Sequence, residues 1–99
     1  MHTQMNINKT GVLSLVTNDL FHDTPVLAID NSTFEFDSDM EALKDCLSAN
    51  GVTLHPGILK QDYSFIPVPK ETGMCICSQM HNSGISLMLF QNGALITKN

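Results

Sequence analysis

The chain has no arginine: all five of its basic residues are lysines, Lys9, Lys44, Lys60, Lys70 and Lys98. This removes the planar fork used for bidentate phosphate recognition. A formal net charge of −5 adds repulsion from any phosphate backbone, so direct nucleic-acid binding is not expected. Long apolar runs are also missing. The stretch at residues 85–90 is far too short to cross a bilayer. The opening "MHTQMNINKTGVLSLV" has no basic region followed by a long apolar core, and Ser14 interrupts its residues 12–16. No signal peptide and no membrane partner are read, and a cytoplasmic protein is expected.

Chemical motifs are equally sparse. There are three cysteines, an odd count, and Cys75 and Cys77 are separated by one residue. That suits reduced thiols better than a disulfide framework. The four histidines show neither H-x-H nor H-E-x-x-H spacing. No twelve-residue calcium frame surrounds "DSDME", and the glycines of "TGM" and "NGA" read as turn residues rather than a phosphate loop. A nucleophile set can be named only by assembling Cys46, His55 or His22, and Asp62 from distant positions. Neither a catalytic set nor a resident cofactor or metal is expected.

With 42% hydrophobic and 15% charged residues, and no repeat or linker, the 99 residues read as one globular domain, 1–99. "VLSLVT" (12–17) and "PVLAID" (25–30) read as strands separated by the polar loop "NDLFHDT", and "STFEF" alternates as a third. A helix is predicted over about 39–49. Ser38 and Glu41 would form its capping box, and Met40, Leu43, Cys46 and Leu47 share one face, with Gly51 as a left-handed stop. "VTLHPG" reads as a short strand or loop. "YSFIPV" reads as a strand that Pro67 confines to an edge or ends early. "MCICSQM", "ISLMLF" and "ALITK" follow as strands, the last two joined by Asn92-Gly93, a strong hairpin signal. The predicted class is α+β: an antiparallel sheet of about five to seven strands with one main helix packed on one face.

Pairing Gln91 with Ala94 puts Phe90 opposite Leu95 and Leu89 opposite Ile96; a second hairpin would pair Met80 with Ile85. One face then collects Met74, Ile76, Met80, Ile85, Leu87, Leu89 and Ile96, and the other Cys75, Cys77, Met88, Phe90 and Leu95. Both faces are apolar, and one helix covers only one of them. The face of Cys75, Cys77, Met88 and Phe90 is expected to be covered by the N-terminal strands, or to form a homodimer contact.

The informative asymmetry is acidic. Asp19, Asp23, Asp30, Glu35, Asp37, Asp39, Glu41 and Asp45 lie between residues 19 and 45 against Lys44 alone, a net of seven negative charges. Within it, Leu20 and Phe21 interrupt a polar loop. Asp19, Asp23, Glu35, Asp37, Asp39 and Glu41 are expected to steer a basic protein partner, with Leu20 and Phe21 as anchors. The corresponding function is a small acidic protein-binding module, an inhibitor or immunity-type protein that blocks a nucleic-acid-handling partner. Two other classes are compatible with the composition. One is a soft-metal or thiol sensor using Cys75, Cys77 and His81. The other is a small-molecule-binding or enzymatic α+β dimer with its pocket on the second sheet face.

Overall fold

In the computed structural model, which describes residues 9–53 and 62–99, "VLAID" forms strand β1, Val26–Asp30. Its residues Val26, Leu27, Ala28 and Ile29 are each at most 1% exposed. A strand closed to water on both faces needs partners on both edges and cover on both sides. The partners are β2, Tyr63–Pro67, and β3, Ser86–Gln91; β4, Ala94–Lys98, completes the sheet in the order β2-β1-β3-β4. All neighbours are antiparallel. Three helices cover this sheet: α1, Lys9–Phe21, on one face, and α2, Asp37–Ala49, with α3, Lys70–Gln79, on the other. Among the described residues the α+β class and the antiparallel sheet are as predicted, with four strands rather than five to seven and three helices rather than one. The strand or loop expected at "VTLHPG" falls largely on residues 54–61, outside those described.

Register divides the apolar residues cleanly. Leu27 lies between Ile66 and Leu89, and Ile29 faces Leu87; these join Leu43, Leu47, Ile76, Cys77 and Met80 in the core under α2 and α3. Ala28 lies between Phe65 and Met88, and Val26 faces Phe90; these meet Leu13, Val16 and Phe21 of α1. Pro67 ends β2, an edge strand, so both consequences anticipated from that proline hold.

Two segments predicted as strands are helices. "VLSLVT" lies inside α1, where Leu13, Val16 and Thr17 recur at helical spacing and the Thr17 hydroxyl donates to the Leu13 carbonyl at 2.8 Å. "MCICSQM" lies within α3 and its C-cap Met80; the buried set is Gly73, Ile76, Cys77 and Met80, the i, i+3, i+4, i+7 pattern of a helix. Gly73 hides this pattern because it contributes no hydrophobicity while packing against Leu89 and Val68. Consequently Met80 does not pair with Ile85. The second sheet face is covered by the N-terminal segment, as a helix rather than as strands. "STFEF" is also not a strand: Asn31–Thr33 is a 3-10 turn, with Asp30 accepting from the Ser32 amide at 3.0 Å.

The local signals for turns and stops fare better. Asn92 and Gly93, at φ 55° and 75°, close the β3–β4 hairpin with Gln91 opposite Ala94 and Phe90 opposite Leu95. A bulge then shifts Leu89 opposite Thr97 instead of Ile96. The Ser14 hydroxyl of α1 donates to the Gly93 carbonyl, tying the helix to the hairpin tip. Gly51, at φ 76°, stops α2 as expected; its amide donates to Ser48 and that of Val52 to Leu47, at 3.0 and 2.8 Å. The other end of α2 starts two residues earlier than predicted. Its N-cap is Phe36, and Asp39, not Glu41, accepts from the Glu35 and Phe36 amides at 2.8 and 3.0 Å.

These contacts predict opposite signs for two alanine substitutions. A Cβ at Gly73 would lie 2.6 Å from a Leu89 methyl in the closed core, whereas one at Gly11 meets nothing within 4 Å. Gly73→Ala is expected to lower unfolding free energy by about 1–2 kcal/mol, the overpacking outweighing the helix-propensity gain. Gly11→Ala is expected to raise it by about 0.5 kcal/mol. Urea unfolding of both variants checks this. In the same assay Asp39→Ala should cost about 1 kcal/mol by freeing two amides, and Ser38→Ala about 0.5 kcal/mol or less.

Candidate functional site

The eight residues expected to form one acidic contact surface lie at two ends of the fold. Asp19, Leu20, Phe21 and Asp23 belong to the end of α1 and the turn after it, which feeds the start of β1. Glu35, Asp37, Asp39 and Glu41 follow the far end of β1, a strand about 13 Å long, and lead into α2 on the opposite sheet face. The first group offers little anchor. Phe21 turns inward, its ring 6.2 Å from that of Phe65, and packs on the core under α1. His22, at φ 53°, closes the helix by donating its amide to Asn18 at 2.9 Å, and Gln91 donates to the Asp23 carbonyl at 3.1 Å. Leu20 alone of the two apolar residues remains exposed.

The second group makes a denser surface. Asp37, Glu41 and Asp45 recur every four residues along the exposed side of α2 and are all exposed, while Asp39 is occupied as the helix cap. Beside them Phe36 is 68% exposed, with Glu35 and Asp37 as its chain neighbours. Phe36 and Asp45 were not among the site residues expected from the sequence. Asp45 was part of the charge asymmetry, and helical spacing from Asp37 and Glu41 would have added it. The exposure of Phe36 carried no such signal, because apparent alternation with Phe34 assigned both to a half-buried strand. In the structure only Phe34 packs on the core.

The thiols are separated by the helix. Two residues apart on α3, Cys75 and Cys77 point about 200° apart, so Cys75 is exposed and Cys77 buried. Burial, with a smaller contribution from Cys46, pushes the Cys77 thiol up to about 11. Burial also raises Cys46, whose thiol donates to Gln79 Oε1 at 3.2 Å; Asn50 Nδ2 donates to the same oxygen at 2.9 Å. The trio of Cys75, Cys77 and His81 named for the alternative thiol or soft-metal reading is therefore not assembled. A cleft of about 370 Å³ between α3 and β4 brings Cys77 and His81 together with Met74, Ser78, Thr97 and Lys98 instead. Among the described residues, no three of histidine, cysteine, aspartate and glutamate gather at metal-ligand distance. Cys46, on α2, and His22, after α1, lie on opposite sides of the sheet, and His55 is outside the described residues.

The homodimer face expected from Cys75, Cys77, Met88 and Phe90 does not exist as one surface. The two cysteines are on α3, while Met88 and Phe90 face α1, with Phe90 fully buried. The large apolar side chains that α1 leaves outward are Val12, Leu15 and Leu20. Among the described residues, no helix is long and apolar enough to cross a membrane.

The thiol environments predict a reactivity order. At pH 8 an exchange reagent should modify Cys75 first. Cys77 should hold about a hundredfold less thiolate than an ordinary cysteine and react correspondingly slowly until the protein unfolds. Linkage gives a second outcome. The unfolded chain releases the Cys77 proton from about pH 9.0 and the folded chain only near 11, so stability should fall as pH rises through that window. Urea midpoints should show a smaller fall in Cys77→Ala.

Comparison with protein-family models, with curated proteins and with solved structures finds no match to this chain.

Proposed function

We propose that this chain is a non-enzymatic acidic protein-binding module that captures a basic protein surface through the exposed side of α2 and Phe36. Its most concrete form is a cytoplasmic inhibitor or immunity-type protein that blocks a nucleic-acid-handling partner. The observation carrying this reading is the stripe of Asp37, Glu41 and Asp45 beside an exposed aromatic ring. The helix dipole favours Asp37 in the first turn, but helix stability does not account for the whole stripe. Like charges four residues apart oppose the helix by about 0.2–0.5 kcal/mol per pair, and Asp45, in the last half of α2, lies toward the end where the dipole disfavours an acid. The capping role belongs to Asp39 alone.

A basic partner would relieve the repulsion within the stripe, and Phe36 would supply the apolar contact that a charged rim lacks. Asp19, Leu20 and Asp23 lie too far around the fold to share that contact on a flat partner. Their charges add to the long-range field that speeds encounter. Phe21 has a structural part, closing the core under α1.

The test is affinity capture from the native source with mass spectrometry, repeated across a salt series. Wild type should retain basic proteins that elute as salt rises. The triple variant Asp37→Lys, Glu41→Lys, Asp45→Lys, which spares the cap, should lose them, and Phe36→Ala should weaken retention by about tenfold or more. A folded triple variant that captures the same proteins with the same salt dependence would overturn the proposal.

A further inference from the structure

We infer that the outward side of α1 is an interface for a second copy of this chain, the two α1 helices packing antiparallel and crossing at Leu15. This helix is apolar on both of its sides. Leu13, Val16 and Phe21 pack toward the sheet, while Val12 and Leu15 are 54% and 73% exposed on the other side. A helix that is apolar all round is normally a covered one. Val12, Leu15 and Asp19 follow one another at spacings of three and four residues, so they share one outward stripe. Leu20 stands about 140° around the helix from Leu15 and takes no part.

Charge selects a copy over other occupants. On this stripe Asp19 is the charged group, and no base lies in the last turn of α1. A lipid surface calls for lysine or arginine beside the apolar groups. Asp19 also sits at the end where its own helix dipole disfavours an acid. Antiparallel pairing brings it beside the positive N-terminal end of the partner's α1, whose first turn holds no acid. The two Asp19 positions then lie about 12 Å apart along the helices, beyond the screening length. The α2 acids of each copy stay on the far face of its sheet. Two chains of net charge −5 thus meet where they repel least.

Shape agrees with this register. Crossing at Leu15 sets the partner's Val12 opposite Asn18, where α1 carries a groove of about 470 Å³ lined by Leu15, Val16, Asn18 and Asp19. Residues at i, i+3 and i+4, here Leu15, Asn18 and Asp19, form the hole that a facing side chain enters in helix packing. Twofold symmetry fills both grooves at once. Gly11 falls opposite the partner's Asp19, and a Cβ there would meet nothing within 4 Å, so the approach is open. The strip is about 20 Å long and 10 Å wide, and it hides on the order of 400 Å² per copy, about half of a standard interface. That size fits a weak, reversible dimer with a dissociation constant on the order of 0.1 mM. This inference does not rest on the acidic surface of α2, and either can fail alone.

Sedimentation velocity of the purified chain from about 10 µM to 1 mM tests it. The mean mass should climb from that of the monomer toward twice that value. Leu15→Glu and Val12→Asn should weaken association by about tenfold or more; both sites are exposed, so the fold is kept. Asp19→Lys separates pairing from stability, weakening the dimer about fivefold while raising the urea midpoint of the monomer. Met74→Gln and Leu95→Gln, at exposed apolar sites elsewhere, should associate as wild type. In a Cys75→Ser background, Leu15→Cys should yield a covalent dimer under oxidised glutathione. A chain that stays monomeric at about 1 mM would overturn the interface. So would unchanged dimerisation in Leu15→Glu, or its loss in Leu95→Gln. Monomers that instead bind phosphatidylserine vesicles through Leu15 would overturn the choice of occupant.

Discussion

The burial of four of the five residues of β1 is the constraint from which the rest of the architecture follows. Four consecutive residues, Val26 to Ile29, are closed to water, and their side chains alternate between the two faces of the sheet. Each face must then carry its own helical layer, and the chain supplies them unequally. One face takes α2 and α3; the other takes α1 alone. A single helix suffices there because Ala28 leaves room in the centre of that face, while Phe65 and Phe90 fill its flanks. Close approach recurs on the other side, where Gly73 lets α3 settle onto Leu89 and Val68.

The elements legible in the sequence were those specified by short-range chemistry. Asn92-Gly93 dictates a hairpin through its positive φ angles, Gly51 dictates a helix stop, and the spacing of Leu43, Cys46 and Leu47 dictates α2. The two missed helices failed for one reason. "VLSLVT" and "MCICSQM" are short apolar runs in which periods of 2 and 3.6 fit almost equally well. In α3 the deciding residue, Gly73, is silent to any hydrophobic pattern. In α1, Val12 and Leu15 point outward and blur the stripe made by Leu13, Val16 and Thr17. The need for cover over Phe90 was nonetheless readable, because an apolar face demands it whatever the conformation of the covering segment.

The candidate site divides along the same line. That α2 is acidic is a property of composition and survives any folding. That residues 19–23 and 35–41 are far apart is a property of topology: β1 lies between them in the chain and carries them to opposite ends. Phe36 required knowledge of one local detail, the replacement of a predicted strand by a 3-10 turn at Asn31–Thr33. That turn packs Phe34, half-buried, against the core and leaves Phe36 outside at the head of α2.

Helix rather than strand also decides the chemistry of the sulfurs. On a strand Cys75 and Cys77 would share a face; on α3 they diverge, Cys75 to solvent and Cys77 into the core. The acid stripe and these thiols thus belong to the same helical layer. Within that layer α2 and α3 are joined by a polar link, with Cys46 and Asn50 both donating to Gln79 Oε1. The link occupies the sides of α2 and α3 that face each other and leaves Asp37, Glu41 and Asp45 exposed on the outer side of α2.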